Sequence, residues 1–239
     1  MFSSFVDSLL TRFSARGRKG TVGGVLPTRS IDTPVGSVRV YDSDTEKPCV
    51  VFVPDGPNVI EHYDVLIGLL SQRLRVVCFD MPGFGYSLPL TSYEHSLDQG
   101  AGAILGVLDS LGIRKATLAF SCANGFYALR AAQLAPERIS SLVLSQTPSL
   151  AAMHAWTRRV IPWPLRIPVV GQVSAWLFRR KAAHGWYGWH CRERLRHWSF
   201  KRRHSSHSQV ERAFVWPASF RVWVANKLIR CLAWRHLAR

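Results

Sequence analysis

Residues 117–132 read TLAFSCANGFYALRAA. An apolar run stops at Ser121-Cys122, crosses Ala123-Asn124-Gly125 and resumes with apolar residues at helical spacing. The pattern predicts a strand, a sharp turn and a helix. The surroundings repeat it. PCVVFVP (48–54), RLRVVCFD (73–80) and ISSLVLSQT (139–147) are short continuous apolar runs of the kind that form strands buried on both faces. Helical patterns separate them: VIEHYDVLIGLLSQ (59–72), SLDQGAGAILGVLDSLG (96–112, stopped at Gly112) and GFYALRAAQLAPER (125–138, ended by Pro136). GSVRVYDSD (36–44) alternates, and predicts a half-exposed strand. Alternating strands and helices of this kind predict a parallel sheet covered on both faces. The chain has no Walker loop and no G-x-G-x-x-G, so nothing in it points to a nucleotide site.

Composition sets further bounds. The 239 residues are 47% apolar, enough for one α/β domain with a real core, and no run is long enough to span a membrane. Five cysteines, Cys49, Cys78, Cys122, Cys191 and Cys231, fit no disulfide framework, and the simplest compartment is a reducing cytoplasm. The net charge of +16 is uneven. Residues 179–239 carry 15 of the 31 Lys/Arg and only two of the 15 Asp/Glu. The sequence divides into an N-terminal amphipathic extension (1–30), an α/β core (31–150), a Trp-, Pro- and Arg-rich segment of short helices (151–187) and a basic Trp/Arg/His-rich tail (188–239).

The stretch from Val51 to Ser87 resembles the α/β-hydrolase family. DMPGFGYS, Asp80–Ser87, matches the family's D-x-P-G-x-G-x-S after a strand, and VPDGPN, Val53–Asn58, stands where the family commonly carries H-G-G-P-G. The resemblance implies a mostly parallel sheet with helices on both faces and a helical cap at 151–187. It also implies a nucleophile at the strand–helix turn, the nucleophile elbow. The family typically reads L-G-I-x-K eleven residues before the nucleophile, and LGIRK begins at Leu111. The family's P-E-R has its Pro fourteen residues after the nucleophile, which here is Pro136. Both counts select Cys122 over Ser121, and the N-terminus of the following helix favours a thiolate. Sterics favour the other register. The positions two before and two after the nucleophile are normally glycine. They are Phe120 and Asn124 around Cys122, but Ala119 and Ala123 around Ser121. A third reading keeps the turn as architecture without catalysis. The resemblance also implies an oxyanion hole made by the N–H groups of Ala123 and Gly56, with Asp55 awkwardly close to a developing negative charge. PDGPN is alternatively a tight turn that serves only geometry.

The resemblance further implies an acid and a histidine that are not recognisable. Ser145–Ser149, where some members place the acid, holds no carboxylate, and no C-terminal strand followed by G-x-x-D or G-H appears. The tail can be read as the product of a shifted reading frame beginning near codon 187. It can also be a genuine basic segment that binds nucleic acid or an acidic membrane, or one that supplies His236 as base. His190, Cys191, His197, His204 and His207 fit no zinc spacing. His62 and His95 are expected to serve surface or packing roles. The implied activity is esterase-like hydrolysis of a small hydrophobic acyl substrate through an acyl-enzyme, without metal or organic cofactor. The alternative is a non-catalytic, truncated or frameshifted homologue that binds an anionic surface through its tail. Specific nucleic-acid binding is not expected, and membrane contact by the N-terminal helix or the tail is at most weak.

Overall fold

A computed structural model describes residues 26–55, 58–161, 163–167 and 169–178, together with Val6, Leu9 and Leu10. The tail 188–239 and nearly all of the N-terminal extension before Leu26 lie outside the described residues. Seven strands form one mixed sheet: β1 Thr28–Thr33, β2 Gly36–Asp42, β3 Cys49–Phe52, β4 Arg75–Phe79, β5 Leu88–Pro89, β6 Ala116–Ser121 and β7 Ile139–Ser145. The order is β1-β2-β4-β3-β6-β7, with β5 also on β2. The β4-β3-β6-β7 half is parallel, as the apolar runs predicted. The β1, β2 and β5 pairings are antiparallel. The helices are α1 Asp64–Ser71, α2 Leu97–Ser110, α3 Gly125–Leu134, α4 Leu150–Val160 and α5 Val170–Leu177.

Strand alternation sorts the core into two layers. Val38, Val40, Val51, Val77, Phe79, Leu118 and Phe120 meet Ala101, Ile104 and Val107 of α2 and Tyr127 and Ala128 of α3. The intervening residues Tyr41, Val50, Phe52, Val76 and Cys78 meet Ile60 and Ile67 on the opposite face. The central strands are apolar throughout because both of their faces are covered. Two strands depart from expectation. β2 is buried rather than half-exposed, because its outward Arg39 is covered by other charged and aromatic groups. β7 is an edge strand among the described residues, with Val143 54% and Leu144 39% exposed.

The Asp80–Ser87 stretch shows why its residues are needed. Asp80 is 1% exposed and ends β4. Its carboxylate accepts the backbone N–H groups of Tyr86 (3.2 Å) and Ile60 (3.3 Å) and lies 3.5 Å from the Arg39 guanidinium. Arg39 also pairs with Glu61 and lies over the Tyr86 ring. Ser87 donates its hydroxyl to the Asp80 carbonyl (2.6 Å) and accepts the Arg39 N–H (2.8 Å). Gly85 has φ +50, and a Cβ there would lie 2.1 Å from Asp80 Oδ2. The glycine makes room for the buried carboxylate and supplies the left-handed turn.

Two predictions follow from this cluster. Gly85→Ala combines strain with a clash and should cost about 2 kcal/mol or more of unfolding free energy. Gly102→Ala, within α2 where a Cβ would meet nothing within 4 Å, should add about 0.5–1 kcal/mol. Denaturant titration of both variants measures the difference. Burial pushes the Asp80 carboxyl up from an ordinary value of 3.8 to about 7, against the lowering effect of Arg39 and the two N–H groups. Its pKa is higher folded than unfolded, so its contribution to stability is greatest below 3.8, falls as pH rises and levels off above about 7. Asp80→Asn has no such proton to lose. The Tm of the native protein minus that of Asp80→Asn should therefore fall between pH 5 and pH 8, and a gap that widens with pH would contradict the assignment.

Candidate active site

β3 and β6 are adjacent and parallel, with Phe52 beside Ala119, so the segments following both emerge at one edge of the sheet. β6 and β7 also end together, Ser121 beside Ser145. The next residue of each adopts a left-handed backbone: Cys122 at φ +51 and Gln146 at φ +53. Ser121 is extended, at φ −119 and ψ 159. The sharp turn is therefore made at Cys122, where the chain leaves β6 and enters the 3-10 turn Cys122–Asn124 and then α3. A non-glycine residue in this region costs on the order of 1 kcal/mol. Ser121 and Cys122 are both half-buried, and Ala123 is buried. Cys49 is half-buried and Cys78 fully buried, and burial pushes the Cys49 thiol up to about 11 and the Cys78 thiol well above its ordinary value.

The glycine-free flanks of the turn are accommodated in different ways. Phe120 points into the core below the sheet edge and is 1% exposed. Asn124, 4% exposed, turns its amide sideways, and Nδ2 donates to the Pro54 carbonyl at 3.4 Å. The close approach falls one residue later. A Cβ on Gly125 would lie 2.1 Å from Thr147 Oγ1, so the glycine that the turn needs for packing is at 125, against the segment after β7. Asn124 Oδ1 and Thr147 Oγ1 are both buried without a hydrogen-bond partner among the described residues.

The segment after β3 is fixed from the other side. The Asp55 N–H donates to the Tyr63 hydroxyl (3.1 Å), and the Asn58 N–H donates to the Asp55 carbonyl (2.7 Å). Burial raises the Tyr63 pKa. Gly56, the second expected oxyanion donor, lies outside the described residues. His62 is exposed, and its Nδ1 accepts the Val59 N–H. His95 is buried, with its ring edge-on to Tyr93 and Phe84. Both geometries fit the packing and surface roles expected of them. The tail candidates His190, Cys191, His197, His204, His207 and His236 lie outside the described residues. Among the described residues no group of three or more His, Cys, Asp or Glu could hold a metal ion, and no helix is long and apolar enough to cross a membrane. Among the described residues beyond β7, α4, the 3-10 turn Trp163–Arg166 and α5 are short helical pieces. Sequence reasoning missed the span from Asn124 to Pro54, whose one signal was an amide standing where a glycine is usual.

A sequence profile of the alpha/beta hydrolase fold matches residues 48–181, more than half of the chain. The chain belongs to this family. A zearalenone hydrolase of Bionectria ochroleuca is 34% identical over 133 residues, covering 53% of this chain and 50% of that one. A 2-hydroxymuconate semialdehyde hydrolase of a Pseudomonas species is 33% identical over 108 residues, covering 44% of this chain and 38% of that one. The chain thus spans half or less of the length of these curated relatives. Among solved structures, a candidate epoxide hydrolase from Pseudomonas aeruginosa has a similar fold (TM-score 0.67, 14% identity, covering 92% of this chain and 78% of that one). So does a carboxylesterase from Bacillus subtilis (TM-score 0.53, 17% identity, 91% and 68%). At these identities the likeness is one of fold.

The left-handed conformation at the turn yields a stability prediction. Glycine adopts φ near +51 without strain, whereas alanine keeps the steric penalty. Cys122→Gly should therefore be more stable than Cys122→Ala by about 1 kcal/mol in denaturant titration, the reverse of the order expected within a helix. Equal stabilities, or a more stable alanine variant, would contradict a left-handed residue 122.

Proposed function

We propose that this family member is an acyl hydrolase acting on a small hydrophobic ester-like substrate, with Cys122 as nucleophile. The observation that carries this reading is the left-handed Cys122 at the end of β6 and the start of the helical segment. Such a turn pushes a short side chain out beyond the sheet edge, and a nucleophile must reach a substrate there. The extended backbone of Ser121 keeps that residue in the ladder with β7 and supports the other candidate less.

In the proposed reaction the Cys122 thiolate adds to the acyl carbonyl carbon, and the carbonyl electron pair moves onto oxygen. The N–H groups of Ala123 and Gly56 donate to that oxygen. Collapse of the tetrahedral intermediate expels the alkoxide, which takes up a proton, and leaves a thioester on Cys122. Water then adds to the thioester, releasing the carboxylic acid and restoring the thiol. The second half needs a general base, for which His236 is the family-style candidate in this chain. The substrates in the relatives' names, zearalenone and 2-hydroxymuconate semialdehyde, are the first natural compounds to assay.

A second reading, a non-catalytic homologue with a basic tail that binds an anionic surface, is favoured by the absence of any carboxylate in Ser145–Ser149 and by the exposed apolar residues of β7. One experiment separates the two. The full chain is mixed with p-nitrophenyl butyrate while nitrophenol release and intact mass are followed. The hydrolase reading expects one butyryl group on the protein and continued turnover, both lost in Cys122→Ala and kept in Ser121→Ala. A single burst without turnover supports the non-catalytic reading. Turnover that survives Cys122→Ala and disappears in Ser121→Ala would move the nucleophile to residue 121.

A further inference from the structure

A short helix on a folded domain ordinarily turns its apolar residues inward and its amide side chains outward. α5 does the opposite. Gln172 is 2% exposed, and its Oε1 accepts the Val169 N–H at 3.0 Å, whereas Val170, Val173 and Leu177 are 50%, 40% and 60% exposed. Those three stand at i, i+3 and i+7, so they form one stripe along the outer face of the helix. We propose that this stripe and the arginines near it form a surface that docks on an anionic lipid bilayer, with the apolar side chains set among the acyl chains just below the headgroups. The proposal stands whether or not Cys122 is a nucleophile.

The neighbouring pieces supply what such a surface needs. Trp163, 69% exposed, opens the 3-10 turn Trp163–Arg166. That turn packs on the start of α5, where a Cβ on Gly171 would lie 2.2 Å from the Leu165 carbonyl oxygen. Arg166 ties the turn to the end of α4, its guanidinium donating to the carbonyls of Ile161 (2.8 Å) and Arg158 (3.0 Å). Arg158 and Arg159 are exposed at that end. Indole rings favour the headgroup level of a bilayer, and each cation near an anionic surface strengthens binding roughly fivefold. Charge decides among the possible occupants. Residues 138–192 contain no Asp or Glu. A second copy of the patch would set arginine against arginine. The chain's own tail would add to the repulsion, since residues 179–239 carry 15 Lys/Arg and two Asp/Glu. A nucleic acid has the anions but no apolar layer to take an aliphatic stripe. An anionic bilayer has both, and it takes apolar side chains without matched hydrogen-bond partners.

The test separates the stripe from the basic tail, whose attraction to anions is screened by salt. The full chain is sedimented with vesicles of phosphatidylcholine alone or with about 30% phosphatidylglycerol, in about 0.1 M and about 0.5 M NaCl. The native protein is compared with Val173→Asp/Leu177→Asp and with Arg158→Gln/Arg159→Gln. The native chain should bind the anionic vesicles at both salt concentrations. The double Asp variant should lose at least about tenfold in partitioning at high salt, with a Tm within about 2 °C of native, as expected of exposed positions. The double Gln variant should lose roughly 10- to 30-fold at low salt and little at high salt. Native binding that vanishes at high salt, or double Asp binding equal to native, overturns the proposal and leaves the tail as the only contact. Absence of native binding overturns it too. A Tm several degrees lower in the double Asp variant would show that the chain itself covers the stripe. A native dimer in light scattering that the same variant splits would show that a second copy does, and either result overturns the proposal.

Discussion

The Asp80 carboxylate is the point on which the site-bearing edge depends. It stands at the end of β4, between the Arg39 guanidinium from β2 and the backbone N–H groups of Ile60 and Tyr86. Those partners come from three places in the chain, so one buried side chain sets where the strand end, the start of the 3-10 turn after β3 and the Gly83–Ser87 turn lie relative to one another. Removing a charge from water is costly, and the upward push on the Asp80 pKa expresses that cost. Arg39 offsets part of it and is itself shared with Glu61. A buried arrangement of this kind contributes little net stability, and removing one partner leaves the other buried and unpaired. The Ile60–Tyr63 turn so placed carries Tyr63, whose hydroxyl holds the Asp55 N–H. The influence of Asp80 thereby extends to Asp55 through two hydrogen bonds joined by the Ile60–Tyr63 turn.

Much of the architecture was legible because the sheet needs it. A strand covered on both faces has to be apolar at every position, and Val50–Phe52, Val76–Phe79 and Leu118–Phe120 are nearly so. Where the environment breaks the rule, sequence pattern misleads. Arg39 signals an exposed alternate position in β2, and nothing local discloses that Glu61, Asp80 and Tyr86, all far along the chain, cover it. ISSLVLSQT holds a Leu142-Val143-Leu144 run like that of an interior strand, yet β7 has a partner only at β6 among the described residues. The Asp80–Ser87 motif was recognisable as a pattern. Its reason, a glycine that leaves space for a buried carboxylate, is a three-dimensional fact.

The position of the turn shows the same division. Two spacing counts pointed to Cys122, while the demand for small neighbours pointed to Ser121. The conformation at φ +51 belongs to Cys122. The steric objection loses its force because the bulky flanks do not point at each other. Phe120 packs into the core, Asn124 extends toward Pro54, and the one contact too tight for a side chain falls on Gly125 against Thr147. A rule expressed as glycine at fixed offsets is a proxy for available space, and here different residues supply that space.

The two halves of an acyl-transfer cycle place unequal demands on a protein. Acylation needs a nucleophile held clear of the sheet and donors aimed at one oxygen, and both depend on backbone geometry at the ends of β3 and β6. Deacylation needs a water activated by a base, which in this family comes from chain beyond the cap. Of the first demand, the described residues show the left-handed turn at Cys122 beside the end of β3, while Gly56 lies outside them. A thiol suits such a division better than a hydroxyl would. A cysteine reaches its nucleophilic form with a lower pKa than a serine hydroxyl and can attack without a base in hydrogen-bonding contact, whereas a serine at the same turn would be inert without one. On the proposed acyl-hydrolase reading, the elbow alone would capture an acyl group covalently, and steady turnover would need a base from the rest of the chain.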